Sequence, residues 1–192
     1  APDGVVELSE ALEVSCNVYF AQLGIDLGAA AFQSLAAAGL EIDTAPMSGP
    51  FQPGADGSRQ LASTAYGQGA ARMHTMQAAR MIATVGSGGL YRKCSPGMLL
   101  SESCEERRIA DAGTLDVVLA GMRKVIDSGT ARSFSALDGV RVYGKTGTAT
   151  DPGRSDEVPY GIARHSTQNP HSWFVALAED STSDACEPTV GG

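Results

Sequence analysis

The segment GVRVYGKTGTATDPG, residues 139–153, constrains this chain more than any other stretch. Val140 and Val142 alternate with polar neighbours, a pattern typical of a half-buried β-strand. After Lys145 the sequence continues as T-G-T-A-T-D-P-G, and this glycine- and proline-containing run disfavours a helix. The segment therefore predicts a strand that carries Lys-Thr-Gly-Thr and is followed by a turn.

The first eight residues, GVRVYGKT, also satisfy the pattern G-x-x-x-x-G-K-[ST] of a nucleotide-binding P-loop. In a P-loop a loop lies between the glycines, and a helix begins at the Lys-Thr pair so that its N-terminus faces phosphate. Here the residues between the glycines are predicted to be a strand, and no helix is expected to begin at Lys145. The Lys-Thr-Gly-Thr set needs another explanation.

Length and charge narrow the class of protein. The 192 residues, 43% of them apolar, suffice for one domain with a core or for most of a larger domain. The 14 basic and 22 acidic residues give a net charge of −8, which disfavours binding to nucleic acid or to an anionic membrane. The apolar runs are far shorter than the ~20 residues of a membrane span. We expect no nucleic-acid partner and no membrane contact by this segment.

The four cysteines, Cys16, Cys94, Cys104 and Cys186, show no C-x-x-C spacing, and the chain has three histidines. We therefore predict neither a metal site nor a cofactor. Cys94 and Cys104 flank a short apolar stretch and could form a disulfide in an oxidising compartment. Two free thiols are an equally weighted alternative.

The N-terminal half is predicted to be helical. Ser9 is the expected N-cap of a first helix, which ends at Ser15-Cys16-Asn17, where a second helix begins. Residues 29–40 form a third helix that ends at Gly39, and the Pro, Gly, Ser and Asp density over 44–59 predicts a loop. The Ser15-Cys16-Asn17 stretch therefore lies at a helix junction, where side chains are exposed.

Two further helices and two further strands complete the expected elements. Thr75 caps a helix that ends at residues 86–89, and its apolar face comprises Met76, Ala79, Ile82 and Val85. Residues 90–100 predict a strand with a turn at Pro96-Gly97. Thr114 begins the clearest helix, which ends at 128–131, and a last strand covers Ser172–Glu179 with Trp173 in the sheet core. Helices followed by late strands indicate an α+β fold with an antiparallel sheet.

A strand that carries Lys-Thr-Gly-Thr offers specific chemistry. Lys145 and Gly147 face one side of the strand, and Thr146 and Thr148 face the other, unless the ladder bends at the glycine. Gly147 lets a ligand approach the backbone closely, and the Thr148 N–H at a sheet edge could donate to an oxyanion. With the Ser15-Cys16-Asn17 junction nearby, the site would combine a cation, hydroxyls, an amide and N–H donors. Such a set suits acyl transfer on an amide that ends in a carboxylate.

Ser15-Cys16-Asn17 and Lys145-Thr146-Gly147-Thr148 resemble the S-x-N and K-T-G-[ST] motifs of the penicillin-binding protein transpeptidases, relatives of serine β-lactamases. Similar segments follow in the order of that family: ALEVSCNVYFAQLG, YGQG, TMQAARMIATVGSGG, GMRKVIDSGTA, GKTGTA and HSWFVAL. Their ordered occurrence over about residues 7–178 is more specific than either motif. The resemblance implies a helical cluster packed on an antiparallel sheet, incomplete at both ends.

The resemblance also implies an activity. In this family the serine of an S-x-x-K motif attacks the D-Ala-D-Ala end of a peptidoglycan stem peptide, and an amine then resolves the acyl-enzyme. β-Lactam antibiotics acylate the same serine. By this resemblance Ser15 relays a proton with help from Lys145. The substrate-binding residues it implies are Asn17 for the substrate amide, Thr146, Gly147 and Thr148 around the terminal carboxylate, and the Thr148 N–H for the oxyanion.

Simpler interpretations compete with these roles. Ser15 and Asn17 could merely cap the second helix, and Lys145 could be a solvated charge on an edge strand. Tyr66 and Gln68 are expected to support the loop over the site and not to react. The family order favours the functional interpretation.

No serine in these 192 residues is followed by lysine three positions later, so the S-x-x-K motif is expected upstream of Ala1. The polar end STSDACEPTVGG shows neither a strand nor a helical period. We therefore expect a partial transpeptidase domain at 1–180, a polar tail at 181–192 and no acylation of this chain alone. Exposed sheet edges could favour oligomerisation.

Two classes of function follow. The first is an extracytoplasmic D,D-transpeptidase, anchored to the membrane by a segment outside this chain. The second is a non-catalytic penicillin-binding fold that acts as a scaffold or sensor in a cell-wall complex. A serine β-lactamase is a weaker third alternative, because GKTGTA after SGTA is more similar to the transpeptidases. The retained motifs favour the enzyme, since a scaffold needs no lysine and threonines converging on an anion.

Overall fold

The computed structural model describes residues 5–37, 55–68, 73, 75–94, 104–134, 138–149 and 171–180. The helices and strands, in chain order, are α1 Leu8–Glu13, α2 Asn17–Ala37, α3 Ala55–Ala65, α4 Thr75–Gly86, β1 Leu90–Lys93, β2 Glu105–Arg108, α5 Ala112–Asp127, β3 Val140–Ala149 and β4 His171–Asp180. The predicted α+β class with antiparallel strand pairs is confirmed. Within these ranges no helix is both long and apolar enough to cross a bilayer.

The β3–β4 pair carries the Lys-Thr-Gly-Thr segment. The two strands run antiparallel over their full length, from Val140 opposite Asp180 to Ala149 opposite His171. Both predicted late strands are therefore confirmed, and β3 continues through Lys145, where a P-loop would require a helix to begin. The P-loop pattern is a chance match.

Helix α5 packs on β3 and forms the main apolar core with it. Its apolar residues recur at helical spacing, so one face is buried. The core comprises Val125, Ile126, Ala131 and Val142, with Val140 packed against them. Gly144 permits the close approach, because a Cβ at this position would lie 2.7 Å from Ile126 Cδ1. This packing fixes β3 relative to α5 and to the turn that follows α5.

Helix α1 packs along α5, next to this core. Gly121 of α5 lies against Leu12, and Lys124 Nζ donates to Ser9 Oγ at 3.1 Å. The turn after α5 is bound to Glu13 twice: the Thr130 N–H donates to the Glu13 carbonyl at 3.2 Å, and the Ser128 hydroxyl donates to its carboxylate at 2.6 Å. The end of α1 therefore has a fixed position relative to the turn after α5.

The capping predictions are corrected by two carboxylates. Helix α1 is capped at Glu7, whose N–H donates to the Glu10 carboxylate, and not at Ser9. Helix α5 begins at Ala112 and not at Thr114, because the Asp111 carboxylate accepts from both the N–H and the hydroxyl of Thr114. These hydrogen bonds lower the pKa of Asp111. Each true N-cap lies upstream of the residue that the pattern selected.

Helix α3 corrects the predicted loop over 44–59, since residues from 55 onward are helical. Leu61 is 3% exposed and contacts Ala29 and Phe32 of α2, and Thr64 on the same face is also buried, so a short face anchors this otherwise polar helix. Helix α2 contains a kink at Gly28, where φ is +72°, a conformation that glycine adopts without strain. The predicted boundary between the second and third helices coincides with this kink.

Two predictions of burial are wrong. Helix α4 buries Ala78 and Thr84, whereas Met76, expected in the apolar face, is 57% exposed. The buried face is therefore rotated from the one that the pattern suggested. Trp173, predicted to lie in the sheet core, is 38% exposed.

Strands β1 and β2 form a hairpin away from the Lys-Thr-Gly-Thr segment. Cys94 and Cys104 are joined by a disulfide, with their Cα atoms 4.4 Å apart. Strand β2 has the sequence EERR and is exposed throughout, so it lacks the alternation that predicts a strand. Arg92 and Glu106 are opposite each other and form an ion pair. The predicted turn at Pro96-Gly97 and the tail at 181–192 lie outside the described residues.

Gly129 is predicted to be essential for the attachment of α1 to the turn. A Cβ there would clash with the Glu13 carbonyl oxygen and lie 2.8 Å from Val125 Cα, both backbone atoms that cannot move independently. We expect Gly129→Ala to lower the free energy of unfolding by ~2 kcal/mol or more. Chemical denaturation measures this quantity.

Gly113→Ala is the matched control, because its Cβ would meet only Asp111 Oδ1 at 3.5 Å in the first turn of α5. That change is expected to be neutral or to stabilise by up to ~1 kcal/mol through helix propensity. Equal effects of the two variants would contradict the proposed attachment.

Candidate active site

Three chain segments meet at one end of the α5–β3 core. They are the junction between α1 and α2, the turn at 128–131, and the second half of β3. Ser15 comes from the first segment, Thr130 from the second, and Lys145 and Thr146 from the third. The sequence separates Ser15 from Lys145 by 130 positions, so only the tertiary fold brings them together.

Ser15 and Lys145 are in direct contact. Lys145 Nζ donates to Ser15 Oγ at 2.8 Å and to the Thr146 carbonyl at 2.7 Å. Both side chains are half-buried. The alternative interpretation of Lys145 as a solvated edge-strand charge is therefore wrong. The pair is a cation and a hydroxyl at proton-transfer distance.

The backbone holds Ser15 in an unusual conformation. Within the described ranges it is the only non-glycine residue with a positive φ, at 55°. The Ser15 N–H donates to the Leu12 carbonyl and the Cys16 N–H donates to the Ala11 carbonyl, which closes the end of α1 around this residue. A left-handed serine costs stability and persists only where the surroundings impose it. The predicted junction is thus a strained corner that orients the hydroxyl.

Burial lowers the pKa of Lys145 below the ordinary lysine value of 10.5. Desolvation penalises the ammonium form, and no described carboxylate pairs with it to offset that penalty. A lysine with a lowered pKa exchanges a proton more readily near neutral pH. Lys145 can therefore both polarise the Ser15 hydroxyl and take part in proton transfer through it.

The other predicted residues lie along β3 and at the start of α2. Thr146 Oγ1 lies 2.6 Å from Thr130 Oγ1. Thr148 is exposed, and its carbonyl accepts from Gln68 Nε2 at 3.0 Å. Gly147 is opposite Trp173, and Asn17, exposed, is the first residue of α2. The structure thus joins Ser15, Lys145 and Thr146 directly, whereas Asn17, Gly147 and Thr148 lie on the same two segments without a described mutual contact.

Two contributors were missed or undervalued in the sequence. Thr130 was seen only as part of the SGTA stretch that ends a helix, although it contacts Thr146. Gln68 was expected to support a loop, and the structure shows that it binds the end of β3 through the Thr148 carbonyl. The ordered segments YGQG and SGTA were the available signals for both residues.

The fold and the site together define a class: an α+β protein that presents a serine, a lysine and a hydroxyl-lined strand for chemistry on an acyl or anionic group. Residues 1–185 match the family described as the penicillin binding protein transpeptidase domain. The chain belongs to this family of peptidoglycan D,D-transpeptidases, and the predicted resemblance is confirmed.

Two curated relatives agree with this assignment. The chain is 32% identical over 196 residues to the peptidoglycan D,D-transpeptidase PbpA of Mycobacterium tuberculosis, which covers 90% of this chain and 36% of that protein. It is 29% identical over 184 residues to penicillin-binding protein 3 of Bacillus subtilis, which covers 88% of this chain and 26% of that protein. The chain thus spans about a third or less of the length of these relatives.

Solved structures show the same fold. The crystal structure of PbpA from Mycobacterium tuberculosis matches with a TM-score of 0.65 at 27% identity, covering 90% of this chain and 40% of that one, and so does its ceftriaxone acyl-enzyme complex. The D,D-transpeptidase domain of a peptidoglycan glycosyltransferase from Eggerthella lenta matches with a TM-score of 0.58 at 25% identity, covering 90% and 45%.

The lowered pKa of Lys145 predicts how stability depends on pH. The folded state binds fewer protons than the unfolded state between the lowered pKa and the unfolded value, so the free energy of unfolding rises with pH across that window. The destabilisation is present in full below the lowered pKa and is lost above the unfolded one. Lys145→Met has no ammonium group to desolvate, so its stability lacks this dependence on pH. Wild type should therefore gain stability relative to Lys145→Met as the pH rises.

Denaturation of both proteins at a series of pH values checks this expectation. Direct titration by NMR of the lysine side chains adds a second measure, because the chain has three lysines and Lys145→Met identifies the signal of Lys145. A stability difference that stays constant with pH, together with a Lys145 signal that titrates at the ordinary value, would contradict the desolvation of this ammonium group.

Proposed function

We propose that this chain contributes the Ser15–Lys145 pair and the carboxylate-binding strand to a peptidoglycan D,D-transpeptidase that cross-links stem peptides through a serine acyl-enzyme. The observation that carries the proposal is the 2.8 Å hydrogen bond from Lys145 Nζ to Ser15 Oγ. A scaffold would have no use for a desolvated lysine directed at a strained serine, since both features cost stability.

In this proposal Ser15 relays the proton between the leaving amine and the general base, and Lys145 keeps the relay polarised. The Ser15 hydroxyl accepts from Lys145, so its own proton can be donated to the departing D-alanine nitrogen. Burial lowers the pKa of Lys145, which makes its ammonium a better proton donor than that of a solvated lysine. General acid–base assistance of this kind contributes ~10²- to 10⁴-fold to a rate.

The second half of β3 recognises the substrate. We propose that the hydroxyls of Thr146 and Thr148 bind the terminal carboxylate of a D-Ala-D-Ala peptide, that the Thr148 N–H donates to the oxyanion, and that Asn17 holds the substrate amide. Gly147 leaves the backbone accessible to the ligand. A β-lactam antibiotic carries a comparable carboxylate and amide, and the ceftriaxone acyl-enzyme of the Mycobacterium tuberculosis relative supports its use as a probe.

The acylated serine is proposed to lie outside these residues. Each of the three lysines of the chain, Lys93, Lys124 and Lys145, lacks a serine three positions before it. The 192-residue chain alone is therefore expected to form no covalent adduct with penicillin.

The disulfide supports an extracytoplasmic location. Disulfides persist in oxidising compartments and are rare in the cytosol. Cys94 and Cys104 close the β1–β2 hairpin, whereas Cys16, beside the site, is a free thiol. We propose that the domain acts on the outer side of the cytoplasmic membrane, where its peptidoglycan substrate is assembled.

The proposal is tested with the natural protein, purified with whatever sequence flanks these 192 residues in its gene. Lys145→Met is expected to lower the rate of acylation by a fluorescent penicillin ~100-fold or more, because the proton relay loses its cation. Gel fluorescence gives the rate, and intact mass with peptide mapping locates the adduct.

Lys124→Met is the matched control, since Lys124 also donates to a serine hydroxyl, that of Ser9, but at the α1–α5 contact. Its acylation rate should stay within about twofold of wild type. Equal losses in the two variants would sink the proposed role of Lys145. Absence of any adduct on the wild-type natural protein would favour the non-catalytic scaffold.

A further inference from the structure

The turn that follows α5 contacts the substrate-binding strand through one pair of hydroxyls. Thr130 Oγ1 and Thr146 Oγ1 are 2.6 Å apart, and either could donate. The backbone of Thr146 is held separately, because β3 pairs with β4 over its full length and Thr146 lies opposite Phe174. The strand position is therefore set without Thr130, so the hydroxyl contact is free to serve another purpose.

The turn itself is rigidly placed. The Thr130 N–H donates to the Glu13 carbonyl, and the Ala131 N–H donates to the Val125 carbonyl at 3.0 Å. Ala131 is buried in the α5–β3 core. Thr130 is itself exposed, so its side chain is not held by core packing. A threonine on a fixed turn with an exposed side chain is well suited to position a neighbouring polar group.

Proton counting decides the direction of this hydrogen bond. A threonine hydroxyl has one proton and two lone pairs, and a carboxylate only accepts. If the Thr146 hydroxyl binds the substrate carboxylate, it must donate its single proton to that anion. Its oxygen can then only accept from Thr130, so Thr130 must be the donor.

We propose that the Thr130 hydroxyl donates to Thr146 and thereby directs the only proton of Thr146 toward the terminal carboxylate of the substrate. Thr130 is a positioning residue in this scheme, since it acts through Thr146 and does not touch the substrate. The proposal rests on the proposed function, because it assumes that Thr146 binds a carboxylate. It extends that function to a residue on a different segment.

The test uses the natural protein and a peptide that ends in D-Ala-D-Ala. Thr130→Val keeps the shape and removes the hydroxyl. We expect its KM for the peptide to rise about fivefold, the factor that corresponds to a hydrogen bond of typical net strength. The kcat should stay within about twofold, because the carboxylate contact is made equally in the ground state and the transition state. Thr130→Ser, which keeps the hydroxyl, should restore the wild-type KM.

A double-mutant cycle separates this role from a structural one. Thr130→Val should add nothing to the KM of Thr146→Val, because both remove the same donor chain. Thr114→Val is the matched control: it removes a hydroxyl bonded at 2.7 Å to Asp111, far along α5 from the site, and KM should not change. If Thr130→Val fails to fold, Thr130→Ala replaces it in the double-mutant cycle.

An unchanged KM for Thr130→Val, effects that add fully in the double variant, or a loss in kcat alone would each overturn the proposal. These results are distinguishable from failure of the proposed function. If the proposed function is wrong, the wild-type protein forms no penicillin adduct and releases no D-alanine, and the inference about Thr130 is then wrong as well. Acylation of wild type by penicillin with an unaltered Thr130→Val overturns only the positioning role.

Discussion

The site depends on the two hydrogen bonds that join Glu13 to the turn after α5. They connect the end of α1 to the segment at 128–130, and the chain reaches Ser15 only two residues after Glu13. The same turn continues the core on which β3 is packed. Together with the packing of Leu12 on Gly121 and the hydrogen bond from Lys124 to Ser9, this attachment fixes the end of α1 relative to β3. The 2.8 Å contact of Ser15 with Lys145 forms within that frame.

Two features of the site itself cost stability. Ser15 adopts a left-handed backbone conformation, and Lys145 is a cation that burial desolvates without a carboxylate partner among the described residues. Each cost is partly offset by hydrogen bonds, from Lys145 to the Ser15 hydroxyl and to the Thr146 carbonyl. Strain and desolvation that coincide at one point indicate function more strongly than either alone, because packing by itself favours neither.

Local patterns in the sequence predicted the elements of the site but not their contacts. The helix junction at Ser15 and the strand at Lys145 follow from periodicity and turn residues over short windows. The hydroxyl pair of Thr130 and Thr146 joins separate elements, and the periodicity of a sequence within one element cannot predict such a contact. The helix anchored by Leu61 was missed because its residues are mostly polar or small, and Leu61 is its one large apolar side chain. Trp173 was misplaced because a residue type predicts burial only on average.

The charge of the chain constrains how an anionic substrate can be recognised. The net charge of −8 gives no long-range attraction for a carboxylate, and salt screens exposed charges beyond ~8 Å at physiological ionic strength. In the proposed function, recognition of the carboxylate would therefore come from donors in direct contact. The second half of β3 supplies such donors as hydroxyls beside the half-buried Lys145. Because a hydroxyl can turn its proton toward or away from an anion, the proposed affinity depends on the neighbour that controls this proton, and among the described residues Thr130 contacts the Thr146 hydroxyl.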